Sequence, residues 1–270
     1  MTSEPTMTST SKSSAAPKAA SVPALDKAFE ILDFITQSSS PVSAAAIAKE
    51  LGLARSTTHN ILQALSAKGV LHKDANHLFS LGSYLLYWAG RFEMAHGVAG
   101  VFHELVASFD ELTPYTVTLS TIDFERGETV FLSSHQGTSA IDFVFRRGVR
   151  VPALFSATGK AILSQQPFEQ VVSMYPDFPA PLTERGVADF DQLKGEFEHI
   201  KQTRLSLDDG QLRLGMTCIG TYIQSPDDKV KLGIAVSLSD SEYDDKKAEI
   251  GDALIKLAQA IESRMGISKI

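Results

Sequence analysis

Residues 43–68 constrain this chain most. They read as two short helices joined by a tight turn, because apolar groups recur at helical spacing on both sides of Gly52. Ile47, Ala48 and Leu51 form the first stripe; Thr58, Ile61, Leu62 and Leu65 form the second. Gly52 stands where the chain must reverse, a position that favours a residue free to take a left-handed backbone. If the second helix buries its stripe, Ser56, His59, Asn60 and Gln63 lie on the opposite face, with Arg55 in the first turn. A short polar face of this kind suits a helix that reads base edges in a major groove. On this stretch alone an αα-hairpin in a helical bundle fits equally well.

The flanking residues separate those readings. Leu25, Ala28, Phe29, Leu32 and Ile35 predict a first helix over 24–37, ended by Ser38–Pro41, and Ser43 is placed to cap the next helix. After Lys68-Gly69, residues 70–73 and 78–81 read as short strands joined through Asp74 and Asn76. The order helix, helix-turn-helix, hairpin is that of a winged helix over 24–82. The alternative for the hairpin is a surface meander. Its place directly after the helix pair favours the wing, where Lys73 or His77 can approach a phosphate backbone. From Glu50 to Asp74 no acid intervenes, although the whole chain carries a net charge of −7. That overall charge counts against non-specific coating of nucleic acid, but not against a local DNA-binding head.

Residues 83–95 predict a connecting helix rich in large apolar groups, among them Tyr84, Leu86, Tyr87 and Trp88. These fit burial against a second copy of the chain, or within the same chain. A further helix is expected over 97–112. Beyond it the pattern turns to strands over 116–122, 129–135 and 141–145, an edge strand over 148–152, helices over 157–165, 167–174 and 191–203, and strands over 216–223 and 230–239. A turn at 225–228 separates the last two strands, and an amphipathic helix carrying Ile250, Leu254, Leu257, Ala258 and Ile261 closes the chain. The fold class is therefore α+β, an N-terminal winged helix-turn-helix followed by an antiparallel sheet flanked by helices.

With 43% hydrophobic residues the chain has material for a core. No apolar run approaches the roughly 18 residues of a membrane span, and the Ser/Thr/Ala-rich stretch before residue 24 reads as a disordered tail. The single Cys218 excludes an internal disulfide framework and fits a reducing cytoplasm. The run Ser156-Ala-Thr-Gly159-Lys160-Ala161 lacks the first glycine and the hydroxyl of a phosphate-binding loop, so no nucleotide-hydrolysing site is expected. The histidines show no metal-ligand spacing with Cys218, so neither metal nor cofactor is expected.

Two sets of motifs resemble the IclR family of bacterial transcriptional regulators. In the first half they are Ala24…Ile31-Leu32, Ala48…Leu51-Gly-Leu53, Ser56-Thr57 and Leu65…Lys68-Gly69-Val70. In the second they are Arg147-Gly…Val151-Pro152…Ser156-Ala-Thr-Gly-Lys-Ala-Ile-Leu163, Asp208-Asp-Gly-Gln-Leu-Arg-Leu-Gly215-Met-Thr-Cys218-Ile219 and Ala235-Val-Ser237-Leu-Ser239. The resemblance implies a DNA-binding domain over 24–82, a connecting helix over 83–96 and a GAF-like effector domain over 97–270. It implies double-stranded operator DNA as partner, a homodimer or tetramer, and a small-molecule effector, an organic acid, in the second domain. Arg55, Ser56, Thr57, His59, Asn60 and Lys73 are the expected DNA contacts. Ala157, Thr158, Asp208, Met216, Cys218, Ser237 and Ser239 are the expected effector contacts, with Phe143 and Phe145 closing the pocket. No catalytic residue is expected; the competing readings are an enzyme with Cys218 as nucleophile and a ligand sensor without DNA binding. Two positions depart from the family pattern: Asn60 stands where Arg is usual, and Gln211 where Glu is usual.

Overall fold

Helix α1 (Pro23–Gln37) buries Ile31 and Ile35, while Leu25 and Phe29 stay 56% and 61% exposed. The computed structural model describes residues 22–138, 145–224 and 231–266, and divides into two units, one ending at Phe92 and the other beginning at Glu93. The N-terminal tail, Phe143, all of the 141–145 strand but Phe145, and the 225–228 turn lie outside the described residues.

In the first unit, β1 (Val42–Ser43) leads into α2 (Ala44–Glu50), whose N-terminus is capped by Ser43 Oγ accepting from Ala46 N at 3.2 Å. Gly52 takes the left-handed conformation at φ +63°, and α3 (Arg55–Ala67) follows. Strands β2 (Leu71–Lys73) and β3 (Leu78–Leu81) form the hairpin, and β1 joins its far side to give the antiparallel order β1-β3-β2. Ile31, Ile35, Ile47, Leu62, Leu71 and Phe79 make the core. Every α1 residue in that cluster lies at position 31 or beyond, which is why the expected stripe through Leu25 and Phe29 is half wrong. A core this small has room for only the second half of the helix.

Helix α4 (Tyr84–His96) holds the boundary between the units. In the second unit α5 (Val98–Val106) stops well short of the expected 112, and turns carry the chain to the sheet. The elements then run β4 (Thr116–Asp123), β5 (Glu128–His135), β6 (Arg150–Pro152), α6 (Ala157–Leu163), α7 (Phe168–Ser173), α8 (Phe190–Thr203), β7 (Ser206–Asp209), β8 (Met216–Ile223), β9 (Leu232–Ser239) and α9 (Asp240–Arg264). The six strands form one antiparallel sheet in the order β6-β5-β4-β9-β8-β7.

On one face, α5 and α9 pack Phe102, Ile250, Leu254, Leu257 and Ile261 against Val117, Leu119, Ile219, Val236 and Leu238. The other face is covered by α6, which packs on β8 and β9. Strands β8 and β9 are consequently buried along nearly their whole length, the pattern of a sheet clothed on both faces. Strand β7 went unread in the sequence because Ser-Leu-Asp-Asp has no β-branched residue and its two acids are poor strand formers.

The approach of α6 to the sheet depends on Gly220. A Cβ there would lie 2.8 Å from the Ala157 carbonyl carbon and 2.6 Å from Ser206 Oγ. We expect Gly220→Ala to destabilise the second unit by about 1–3 kcal/mol through overpacking, measured by urea unfolding.

Candidate functional site

In the first unit, Thr58 and Leu62 anchor α3 in the core, and Thr58 Oγ1 donates to the Ala54 carbonyl at 3.2 Å. The opposite face is left to solvent. Arg55, Ser56, His59, Asn60 and Gln63 are exposed, and Thr57 is half-buried. Ala54 at the N-cap offers no side-chain acceptor, so the first amides of α3 remain open beside Arg55. Such a helix start suits a phosphate oxygen. Strand β2 packs beside α3 and carries exposed Lys73, whose ammonium sits 5.8 Å from the centre of the Phe79 ring. The hairpin turn is tied by Asp74 Oδ1, which accepts from Asn76 N at 2.9 Å and Leu78 N at 2.8 Å.

In the second unit, strand register assembles a row. Asp208 lies opposite Cys218, Cys218 opposite Ser237, and Ser237 opposite Thr116, so one position on each of β7, β8, β9 and β4 falls in line. All four are buried. Every second residue of a strand shares a face, and Ser206, two residues before Asp208, donates its hydroxyl to the Ala157 carbonyl at 2.7 Å. The row therefore lies on the face that α6 covers. Beside it Phe131, Phe145, Ala157, Met216, Cys218 and Ala235 form one apolar cluster, with the Phe131 and Phe145 rings edge to face at 4.9 Å. Cys218 Sγ and Ser237 Oγ lie 3.2 Å apart.

Helix α6 starts at this cluster. Its N-cap Ser156 accepts from Gly159 N at 3.1 Å and shares a hydrogen bond with Thr129 Oγ1. The amides of Ala157 and Thr158 have no acceptor within the helix, as at any helix start. Ser239 lies opposite Met216 in the register, but its hydroxyl is taken up in the cap of α9, donating to Glu242 Oε2 at 2.6 Å. Thr116 and Phe131 carry no signal in the sequence, and Ala235 stands there only as the start of a motif. Only strand pairing brings them to the row.

A buried cation and its half-buried partner carboxylate back the row. Lys160 on α6 is fully buried; its ammonium is held by the Glu196 carboxylate on α8 and donates to Gln211 Oε1 at 3.0 Å. Gln211 Nε2 in turn donates to Glu196 Oε1 at 3.1 Å, and Gln211 N to Asp208 Oδ1 at 2.7 Å. The carboxylate that neutralises Lys160 thus comes from α8, and Gln211 joins that pair to the Asp208 loop. Outside β7 an open cleft of about 590 Å³, lined by Arg185, His199 and Tyr243 among others, shares Glu196 and Gln211.

Asp208 accepts from Gln211 N and, at 3.2 Å, from Leu212 N through Oδ1, while Oδ2 is buried without a partner among the described residues. Burial pushes its carboxyl up to about 6, against the downward pull of the two amides and Lys160. Burial, with Asp208 adding to it, also pushes the Cys218 thiol up. A carboxyl raised in the folded state stabilises fully below its unfolded pKa, and that contribution is lost as pH rises through the folded value. The rise from 3.8 to about 6 corresponds to about 3 kcal/mol. We therefore expect Asp208→Asn to gain on the parent by about that amount between pH 4 and pH 7, read from urea unfolding across the range.

Comparison with known proteins places both halves. The IclR helix-turn-helix domain matches residues 24–75, and the C-terminal domain of bacterial transcriptional regulator IclR matches residues 91–263. The chain is 24% identical to the acetate operon repressor of Salmonella typhimurium, over 93% of each chain. Among solved structures it resembles the Agobacterium tumefaciens repressor BlcR at 35% identity and TM-score 0.60, covering 92% of this chain and 99% of that one. A Microbacterium hydrocarbonoxydans IclR homologue complexed with 4-hydroxybenzoate shares the fold at TM-score 0.77 and 18% identity, covering 91% of this chain and all (100%) of that one. With its helix-turn-helix and its C-terminal effector domain each matched, the chain belongs to the IclR family of bacterial transcriptional regulators.

Proposed function

We propose that this regulator binds a pseudo-palindromic operator in the cytoplasm as a homodimer or tetramer, and that a small carboxylate held behind α6 changes that binding. The observation that carries the reading is the buried row Asp208–Cys218–Ser237 facing the start of α6, in a chain whose other unit presents an exposed polar helix. The effector carboxylate meets the amides of Ala157 and Thr158 and the hydroxyl of Ser237, and its body lies against Met216, Cys218 and Phe145. The ring pair of Phe131 and Phe145 suits an aromatic or extended apolar body, in keeping with the 4-hydroxybenzoate of the Microbacterium homologue. Phe143 and Ser239 remain secondary members of this set. Selecting bound DNA from a random pool, with and without a panel of small carboxylates, tests operator, symmetry and effector together. Equal operator affinity with and without a saturating effector would overturn the regulatory reading, because a ligand shifts an equilibrium only by its differential affinity for two states.

Cys218 acts here as a wall of the pocket. The thiolate is the nucleophilic form, and burial holds this thiol protonated. We expect Cys218→Ser to retain specific operator binding in a gel-shift titration.

On the DNA side, Arg55, Ser56, Thr57, His59 and Asn60 contact the groove and Lys73 the flanking backbone. Asn60 pairs with adenine through its amide rather than adding charge. Replacing it by Arg is expected to relax sequence preference and to steepen the slope of log affinity against log salt by about 0.9, read by fluorescence anisotropy at several salt concentrations.

A second copy is supported by the apolar surface of the first unit. Leu25 and Phe29 on α1 and Tyr84, Leu86, Tyr87 and Trp88 on α4 are all exposed, Leu86 at 74% and Trp88 at 51%. Large apolar groups in this number mark an association surface. The paired changes Leu86→Glu and Trp88→Glu are expected to weaken self-association more than tenfold (on the order of 1.4 kcal/mol or more), measured by sedimentation equilibrium.

A further inference from the structure

The Asp208 carboxyl is built asymmetrically. Oδ1 is held by two backbone amides, Gln211 N at 2.7 Å and Leu212 N at 3.2 Å. Oδ2 is shielded from solvent and has no hydrogen-bond partner among the described residues. Asp208 itself is fully buried and lies on the face of β7 turned toward α6, beside Cys218 and Ser237. A buried oxygen on an otherwise fixed side chain calls for a partner, and a ligand atom beside the row can supply it.

The surrounding charges decide which state of Asp208 can meet a carboxylate. Lys160 on α6 is the near cation, and its ammonium is already committed to Glu196 and Gln211. Asp209, next along β7, and Glu196 on α8 add two more carboxylates. Cys218 on β8 is a neutral thiol, and Ser237 on β9 is a neutral hydroxyl. Arg185 lies on the outer side of β7 and is engaged by the Asp209 carbonyl and the Asp240 carboxylate. No free positive charge among these groups is available to screen a second anion at Oδ2. Two carboxylates brought together in such a place cannot both stay ionised, and one proton shared between them removes the repulsion.

We propose that Asp208 meets the effector's carboxylate as an acid, donating a hydrogen bond from a protonated Oδ2, so that each effector bound takes up one proton from solution. This rests on the carboxylate-effector reading above. The balance is simple: ionised Asp208, one solvent proton and the ligand carboxylate become a neutral carboxyl bonded to an anionic ligand, with no other bond made or broken. Burial already moves Asp208 toward this state by raising its carboxyl to about 6. The ligand class is accordingly an anion that accepts at this point, rather than a hydroxyl or ammonium that donates to an ionised Asp208.

Isothermal titration of the full chain between pH 6 and pH 8.5 tests this, with acetate, benzoate and 4-hydroxybenzoate as probes. Each titration is run in two buffers of different ionisation enthalpy, which yields the number of protons exchanged. Acetate and benzoate carry no donor of their own. The expected result near pH 8 is close to one proton taken up per carboxylate bound, with affinity falling about tenfold from pH 7 to pH 8. Asp208→Asn, whose amide donates without titrating, is expected to bind with no proton uptake and a flat pH profile. Ser237→Ala is expected to lose affinity but keep the proton count. Binding without proton uptake, or binding that tightens as pH rises, overturns the proposal while leaving the effector site intact. Failure of all three probes to bind at any pH overturns the carboxylate reading and this inference with it. The proton count on the parent chain decides the matter even where Asp208→Asn does not fold.

Discussion

Clothing one antiparallel sheet on both faces is the constraint on which the second unit depends. Once α5 and α9 claim Ile219, Val236 and Leu238 on one side, alternation along each strand sends Cys218, Ala235 and Ser237 to the other. Register then aligns Asp208, Cys218, Ser237 and Thr116 across four strands. The candidate effector site is therefore not added to the fold; it is the row that faces the start of α6. A register slip of one residue would turn every member of that row into the α9 interface. The polar groups in the row are affordable only because neighbours or a ligand satisfy them.

The first unit works by the opposite economy. Its core is a handful of side chains around Ile47, Leu62 and Phe79, and it leaves much apolar surface uncovered on α1 and α4. A helix-turn-helix needs only enough core to hold α3 rigid, since its function lies on the face turned away. Thr58 serves both needs: it is buried under α3, and its hydroxyl is satisfied by the Ala54 carbonyl, so the first turn is held while its outer amides stay open. The acid-free window from Glu50 to Asp74 then sets a locally non-repelling field on a chain of net charge −7.

What was legible in the sequence follows from the range of the interactions involved. The faces of α2 and α3, the Ser43 cap and the hairpin are local, and periodicity or turn chemistry reads them directly. The face of α1 was half misread because five apolar positions compete for a core that admits only those from Ile31 onward. Strand β7 was missed because two acids disguise a strand whose pairing with β8 is set by tertiary structure. In the site, Asp208, Cys218 and Ser237 were reached through resemblance to a family motif, whereas Thr116 and Phe131 carry no local signal at all. Glu196 is the plainest case. It looks like an ordinary surface acid on an amphipathic helix, and only folding brings it to Lys160, 36 residues away.

That pairing changes the meaning of the departure at position 211. As a sequence feature, Gln in place of Glu looks like a charge removed from beside a ligand. In the fold, Glu196 already neutralises Lys160, and a second carboxylate at 211 would crowd the same ammonium and face Asp208 and Asp209 as well. Gln supplies what that place requires: Oε1 accepts from Lys160, Nε2 donates to Glu196, and the backbone amide holds Asp208 Oδ1. A neutral side chain with a donor and an acceptor can bridge a cation and an anion at once, which a carboxylate cannot. The substitution therefore frees Lys160 from one anion while tying α6, α8 and the Asp208 loop into a single network. Through it, the ionisation of Asp208 becomes a property of three elements rather than of one side chain.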